Sequence, residues 1–258
     1  MKQIYVGPVS RSEQQNVIRQ MLKMPRWILV GVIVIILVIP FLLKDGGSGN
    51  YGAVALVETD TGTGSAIYLG NNKLLTAAHV VNGMMVGERC TVEFMDPNDI
   101  EGRTIPALAE LIAVGDYRAN VPPDLDAQNC SNDFALLMVQ TVDVSQVVGT
   151  PVSVGTSSNV KVSDKIKVEG FPNGTYSSTS GTVNNITGGV TQNKDLFVVD
   201  AGAWPGNSGG ALFNQSGQLI GIVTMAGDKT SQNTDGQTMA IKIDYVAQAL
   251  QMKGQSIK

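Results

Sequence analysis

From residue 51 to residue 243 the apolar residues of this 258-residue chain come in short runs, each closed by Gly, Asn, Asp, Ser or Pro. That pattern predicts strands joined by turns. The runs are Tyr51–Val57, Ser65–Leu69, Lys73–Thr76, Cys90–Met95, Leu108–Val114, Phe134–Gln140, Lys165–Gly170, Gly181–Ile186, Leu196–Asp200, Ala211–Phe213, Leu219–Met225 and Thr238–Ile243. Asp60-Thr61-Gly62 and Asn214-Gln215-Ser216-Gly217 read as hairpin turns. Only Asp244–Met252 has helical spacing, with Asp244 as its N-cap. An all-β body with a C-terminal helix follows, either one domain or two small barrels. Gly115–Ser131 interrupts the rhythm with Pro122-Pro123 and several Asn and Asp, and reads as a long exposed loop.

Ahead of this body, Trp27–Leu43 is 17 residues without a charge, the short end of what spans a bilayer. Arg26 and Trp27 mark one interface, Lys44 and Asp45 the other. A buried core helix is seldom apolar on every face, and no Ala-x-Ala cleavage site follows the run. An uncleaved transmembrane helix is therefore expected at 27–43. Residues 1–26 carry a net charge of +4 within a chain of net −4, so the remainder carries −8. The positive-inside tendency makes 1–26 a cytoplasmic tail and sends the body outside, behind a flexible linker at 44–50. Within the tail, Val17, Ile18, Met21 and Leu22 share one helical face, either a membrane-surface helix or an ordinary juxtamembrane segment. The acidic body argues against nucleic acid as a partner. Cys90 and Cys130 are the only cysteines, and they either pair as a disulfide or remain two buried thiols.

The chain has one histidine, His79, in Ala77-Ala78-His79. Any imidazole acid/base chemistry near neutral pH must use it. Downstream, Asp133 heads the apolar run Phe134-Ala135-Leu136-Leu137, and Ser208 sits inside Pro205-Gly206-Asn207-Ser208-Gly209-Gly210. A serine hydroxyl is a poor nucleophile until a base lies within reach and an acid fixes that base's tautomer. Ser208, His79 and Asp133 supply those three types, in one of the known chain orders of the hydrolytic triad. Asp116, Asp124, Asp126 and Asp200 compete for the acid, but among the acids of that region Asp133 alone opens a strand-like run. The turn Gly206-Asn207-Ser208 can aim backbone N–H groups at a developing oxyanion.

These blocks resemble the three catalytic segments of chymotrypsin-fold serine proteases. Further features are similar to the HtrA/Deg branch: Pro205 before the nucleophile motif, Asn207 where trypsin has Asp, and Gly62-Thr63-Gly64-Ser65 before the histidine block. So are Gly170-Phe171-Pro172-Asn173-Gly174 with Ser180-Gly181-Thr182-Val183, and Met239-Ala240-Ile241-Lys242-Ile243 leading into the last helix. The resemblance covers roughly 51–252 and implies two six-stranded antiparallel β-barrels with the site in the cleft between them. It implies that Thr224, Met225 and Ala226 line the cleft and pair with an extended peptide. It puts Gly202 at the floor of an uncharged pocket suited to a small or medium apolar side chain.

Three features depart from that branch. No PDZ domain is expected after the body, with 253–258 read as a short tail; Asn207 cannot pair with a freed N-terminal amine; and Gly115–Ser131 is long for its place. The expected activity is membrane-tethered serine endopeptidase action on exported or misfolded polypeptides, without metal or cofactor. The alternative is a catalytically silent protease fold that grips peptides. The oligomeric state is left open.

Overall fold

The computed structural model describes residues 52–96, 103–119, 127–148, 150–188, 192–226 and 237–257. The expected transmembrane helix, the tail with its helical face, the linker, Asp124 and Asp126 lie outside the described residues. Among the described residues no helix is long and apolar enough to cross a membrane.

The first barrel contains β1 (Val54–Thr59), β2 (Gly62–Gly70), β3 (Lys73–Thr76), β4 (Arg89–Met95), β5 (Thr104–Val114) and β6 (Ala135–Val139). Its strand order is β1-β2-β3-β6-β5-β4, and β4 returns to pair with β1. The second contains β7 (Lys165–Gly170), β8 (Ser177–Asn185), β9 (Leu196–Val199), β10 (Ala211–Asn214), β11 (Leu219–Ala226) and β12 (Thr238–Lys242). It closes in the order β10-β11-β12-β9-β8-β7. Every named pair is antiparallel. Short helices α1 (Ala127–Ser131) and α2 (Val144–Val148) and the longer α3 (Ile243–Met252) complete the body.

The strands read as nearly continuous apolar runs because both of their faces are buried. Side chains alternate across a strand, so each run divides its residues between two layers. In β1, Ala55 and Val57 fill the first barrel, while Val54 and Leu56 join a layer shared with the second barrel. In β10 and β11, Leu212, Ile220 and Val223 fill the second barrel, and Ala211, Phe213, Leu219 and Ile222 enter the shared layer. Helix α3 adds Ile243, Val246, Ala249 and Leu250 to that layer at three-and-four spacing. Full burial of one such side chain is worth about 1.5–3 kcal/mol. The exposed Arg89–Glu110 pair, at 3.7 Å, is worth about 0–1 kcal/mol. The shared apolar layer packs the barrels against each other.

Three expectations need correction. Strand β5 begins at Thr104, not Leu108, and admits Pro106 opposite Glu93 at an exposed position. Strand β8 begins at Ser177 and is mostly hydroxyl side chains, so no apolar run announces it. Asp244 is not the N-cap of α3; Lys242 holds that place. The Asp244 carboxylate instead accepts from Thr156 Oγ1 and from the Ser157 and Ser158 amides. Burial works against its charged form, but these bonds outweigh it and hold the carboxyl below its ordinary range. For the cysteines, left open between a disulfide and two buried thiols, the structure has the thiols. Cys90 packs into the first barrel and Cys130 into the shared layer, both as buried free thiols. Burial pushes the Cys90 thiol up to about 11, which keeps it unreactive.

Glu169 on β7 is fully buried, and its Oε2 has no hydrogen-bond partner. Desolvation raises its carboxyl pKa, against smaller opposing effects from Tyr176, Lys167 and Ser178. A raised folded-state value means its contribution to stability is fully present below the unfolded value, about pH 4, and is lost as pH rises through the folded value. The charged form of Glu169 is therefore a net cost to the fold. Glu169→Gln is expected to raise stability at pH 7 by about 1 kcal/mol, or about 2–4 °C in Tm. The gain should shrink toward pH 4. A Tm that is unchanged or lower at pH 7 would contradict it.

Candidate active site

Strand β3 ends at Thr76 and runs into a 3-10 turn, Ala78–Val81, which carries His79 at the rim of the first barrel. Asp133 enters from the chain just before β6. It is 2% exposed, whereas the His79 side chain is about one-third exposed. The His79 backbone N–H donates to Asp133 Oδ1 at 2.8 Å. The ring Nδ1 lies 2.7 Å from Asp133 Oδ2, so the proton belongs on Nδ1 and Nε2 is left as the base. Thr224 Oγ1 also donates to Asp133 Oδ2. Three donors on one buried carboxylate fix its direction.

Of the competing acids, the two among the described residues do not reach the imidazole. Asp116 is exposed and pairs with Lys253 at 2.9 Å. Asp200 accepts from the Thr182 amide and hydroxyl at the end of β9. The segment Gly115–Ser131 is not all loop, for its end forms α1, with Asn129, Cys130 and Ser131 buried. Its beginning sends Tyr117 against the imidazole, with ring centroids 6.2 Å apart. Desolvation, and next the Asp133 charge, raise the Tyr117 pKa.

Ser208 lies in a turn that crosses from the second barrel to the first. Its carbonyl accepts from the Ser65 N–H at 2.7 Å. Among the described residues its hydroxyl makes no hydrogen bond to the imidazole. The next residue, Gly209, has φ +82°, and a Cβ there would stand 2.1 Å from Ser65 O. Glycine is what lets the two backbones touch. Among the described residues neither the Gly206 nor the Ser208 amide donates to a protein acceptor, whereas the Asn207 amide is bound to Trp204 O at 2.9 Å. Of the three residues named for the oxyanion site, Gly206 and Ser208 thus offer free donors and Asn207 does not.

The expected cleft residues divide likewise. Strand β10 pairs with β11 only as far as Ile222, and Gly209 and Gly210 bond with Val223. Beyond that point β12 occupies one edge of β11, and the other edge of Thr224–Ala226 has no strand partner among the described residues. A register shift between Val223 and Met225 marks a bulge, and a bulge re-aims a side chain. It turns the Thr224 side chain, with the residue 5% exposed, toward Asp133. Gly202 is half-buried; its carbonyl accepts from Thr179 Oγ1 at 2.8 Å, and the Trp204 ring lies over its Cα.

A family model described as the trypsin-like peptidase domain matches residues 63–222. The chain belongs to that family. The matched span of the trypsin-like peptidase domain includes His79, Asp133 and Ser208. A serine protease HtrA-like protein of Staphylococcus epidermidis is 36% identical over 139 residues, covering 48% of this chain and 23% of the relative. Serine protease PepD of Mycobacterium tuberculosis is 30% identical over 222 residues, covering 78% of this chain and 42% of the relative. The chain thus spans less than half the length of these curated relatives. The solved structure of the HtrA-type protease AlgW with a tripeptide aligns at TM-score 0.58 and 27% identity, over 82% of this chain and 62% of that one. Deg5 aligns at TM-score 0.52 and 24% identity over 93% and 94%, a likeness of fold. Within the trypsin-like domain, Tyr117 and the hydroxyl of Ser65 are contacts at the site that the sequence reading passed over. Tyr117 is a lone aromatic in an aperiodic loop, and Ser65 is one of many strand hydroxyls.

Proposed function

We propose that this chain is an HtrA-type serine endopeptidase acting on extended or misfolded polypeptide, anchored in a membrane by residues 27–43 with its body on the exported side. The observation that carries the chemistry is the buried Asp133 carboxylate bonded at once to the His79 ring, the His79 amide and Thr224. The free edge at Thr224–Ala226 holds the substrate backbone by strand addition. Ser208 Oγ attacks the carbonyl carbon while His79 Nε2 takes its proton. Asp133 stabilises the imidazolium that results. Negative charge on the former carbonyl oxygen is met by the Gly206 and Ser208 amides. Collapse expels the amine, which takes the proton from His79, and leaves an acyl-enzyme ester on Ser208. Water activated by the same imidazole then frees the acid product. No step calls for a metal or cofactor.

The missing Ser208–His79 hydrogen bond favours the second reading, a fold that grips peptides and does not cut. Catalytic hydrogen bonds often tighten only with substrate present, so this bond does not by itself decide. The deciding experiment treats the full chain in membranes with a fluorophosphonate and maps the adduct. A single adduct on Ser208, casein cleavage, and release of the labelled chain only by detergent are the expected results. No adduct with retained peptide binding would favour the silent module. A chain that leaves membranes in salt alone would remove the anchor.

A further inference from the structure

We propose that Ser65 is the positioning residue of the oxyanion site, its hydroxyl holding the Gly206–Asn207 peptide plane and so aiming the two amides that receive the oxyanion. The inference rests on the peptidase reading above and assigns a regulating contact to the same site.

In a planar trans peptide the C=O and the N–H of one plane point in opposite directions. Whatever grips the carbonyl therefore aims the amide of the next residue. Three successive planes cross the turn at Ser208. The Pro205 carbonyl accepts from the Asn173 N–H at 3.0 Å, which directs the Gly206 amide away from Asn173. The Asn207 carbonyl accepts from the Gly210 N–H at 2.8 Å, which directs the Ser208 amide. Both outer planes are gripped by backbone donors. The middle plane is held at its N–H by Trp204 O at 2.9 Å and at its carbonyl by a side chain, since Ser65 Oγ donates to Gly206 O at 2.7 Å. If that plane rotates, the dihedrals on either side move with it and the two free amides no longer converge.

Ser65 is suited to this task in three ways. It is completely buried, so water does not compete for the bond. Its Oγ accepts from the Phe171 N–H at 2.8 Å, which leaves its own proton free for Gly206 O. Its backbone is fixed by Thr76 Oγ1 on its carbonyl at 2.7 Å, and its N–H grips Ser208 O. The first barrel thereby sets the geometry of a turn that belongs to the second. A serine needed only for packing would not have to place its oxygen between a donor and an acceptor from two different segments.

The test compares Ser65→Ala and Ser65→Thr with the parent, using the full chain in detergent. Ser65→Ala should lower kcat on a fluorogenic peptide by about 10- to 100-fold with KM nearly unchanged. Affinity for a peptide aldehyde, whose adduct carries the oxyanion, should fall by the same factor. Ser65→Thr keeps the hydroxyl and should retain most of the turnover. Hydrogen exchange of the 205–209 backbone should quicken in Ser65→Ala and not in Ser65→Thr. Normal kcat in a folded Ser65→Ala protein, or aldehyde affinity that does not follow kcat, would overturn the proposal and leave the peptidase reading standing. If the parent itself neither labels nor cleaves, the peptidase reading fails, and exchange alone then decides whether Ser65 holds the turn; unchanged exchange would overturn that too.

Discussion

Ser208→Ala and His79→Ala are each expected to lower kcat by roughly a million-fold, and the double variant to fall no further. The reason is that nucleophile and base act as one unit, so removing either already removes the whole proton-coupled attack. Asp133→Asn should cost roughly ten-thousand-fold, less than loss of the base but far more than an ordinary buried hydrogen bond. The geometry says why. Asp133 Oδ1 is occupied by the His79 amide, so an asparagine keeps its oxygen there and turns its NH2 toward the ring. The imidazole must then present a lone pair at Nδ1 and a proton at Nε2, the wrong tautomer for taking a proton from Ser208. That NH2 would also oppose the Thr224 hydroxyl. Steady-state kinetics with active-site titration checks all four proteins. Losses that multiply in the double variant would show that Ser208 and His79 do not work together.

Gly209→Ala is expected to destabilise the body by about 3 kcal/mol or more, lowering Tm by about 6–12 °C, and to abolish fluorophosphonate labelling. A Cβ at that position would stand 2.1 Å from Ser65 O, 2.4 Å from Thr76 Oγ1 and 2.9 Å from Ala77 N. Two of those atoms are backbone of the first barrel and cannot swing aside, so the turn itself must retreat. The φ of +82° adds a cost of about 1 kcal/mol for any residue with a Cβ. Gly217 separates the two effects. It has φ +73° and open space around it, so Gly217→Ala should lose only the conformational part, about 1 kcal/mol, and keep labelling. Equal losses in the two variants, measured by thermal melting, would show that contact between the barrels does not matter at Gly209.

Much of this architecture was legible because burial on both faces leaves a strong trace. Runs such as Val54–Val57 and Leu219–Val223 are apolar at every position except a glycine, and turn residues bound them. Strand β8 left no such trace, since its Ser and Thr side chains are mostly exposed or half-buried. The N-terminal part of β5 was hidden by Pro106, which an exposed strand position tolerates. At the site, His79 and Asp133 stood out because a lone imidazole and an acid before an apolar run are distinctive in composition. What composition does not carry is direction. Thr224 was readable as a residue near the cleft, but only the extra residue between Val223 and Met225 sends its hydroxyl to Asp133. The same limit hid Ser65, whose importance lies in which carbonyl it meets across 141 residues of chain.

Closure of both sheets has a consequence for resistance to aggregation. A strand edge with unpaired amides and carbonyls is sticky toward any extended chain, and repeated edge pairing is how aggregates grow. Each barrel here closes, β4 on β1 in the first and β7 on β10 in the second, leaving no lengthwise edge of that kind among the described residues. The opening at Thr224–Ala226 is three residues long, enough to hold roughly 10 Å of passing chain and too short to seed a growing sheet. A body of this shape can meet extended polypeptide at high local concentration without being drawn into a growing sheet.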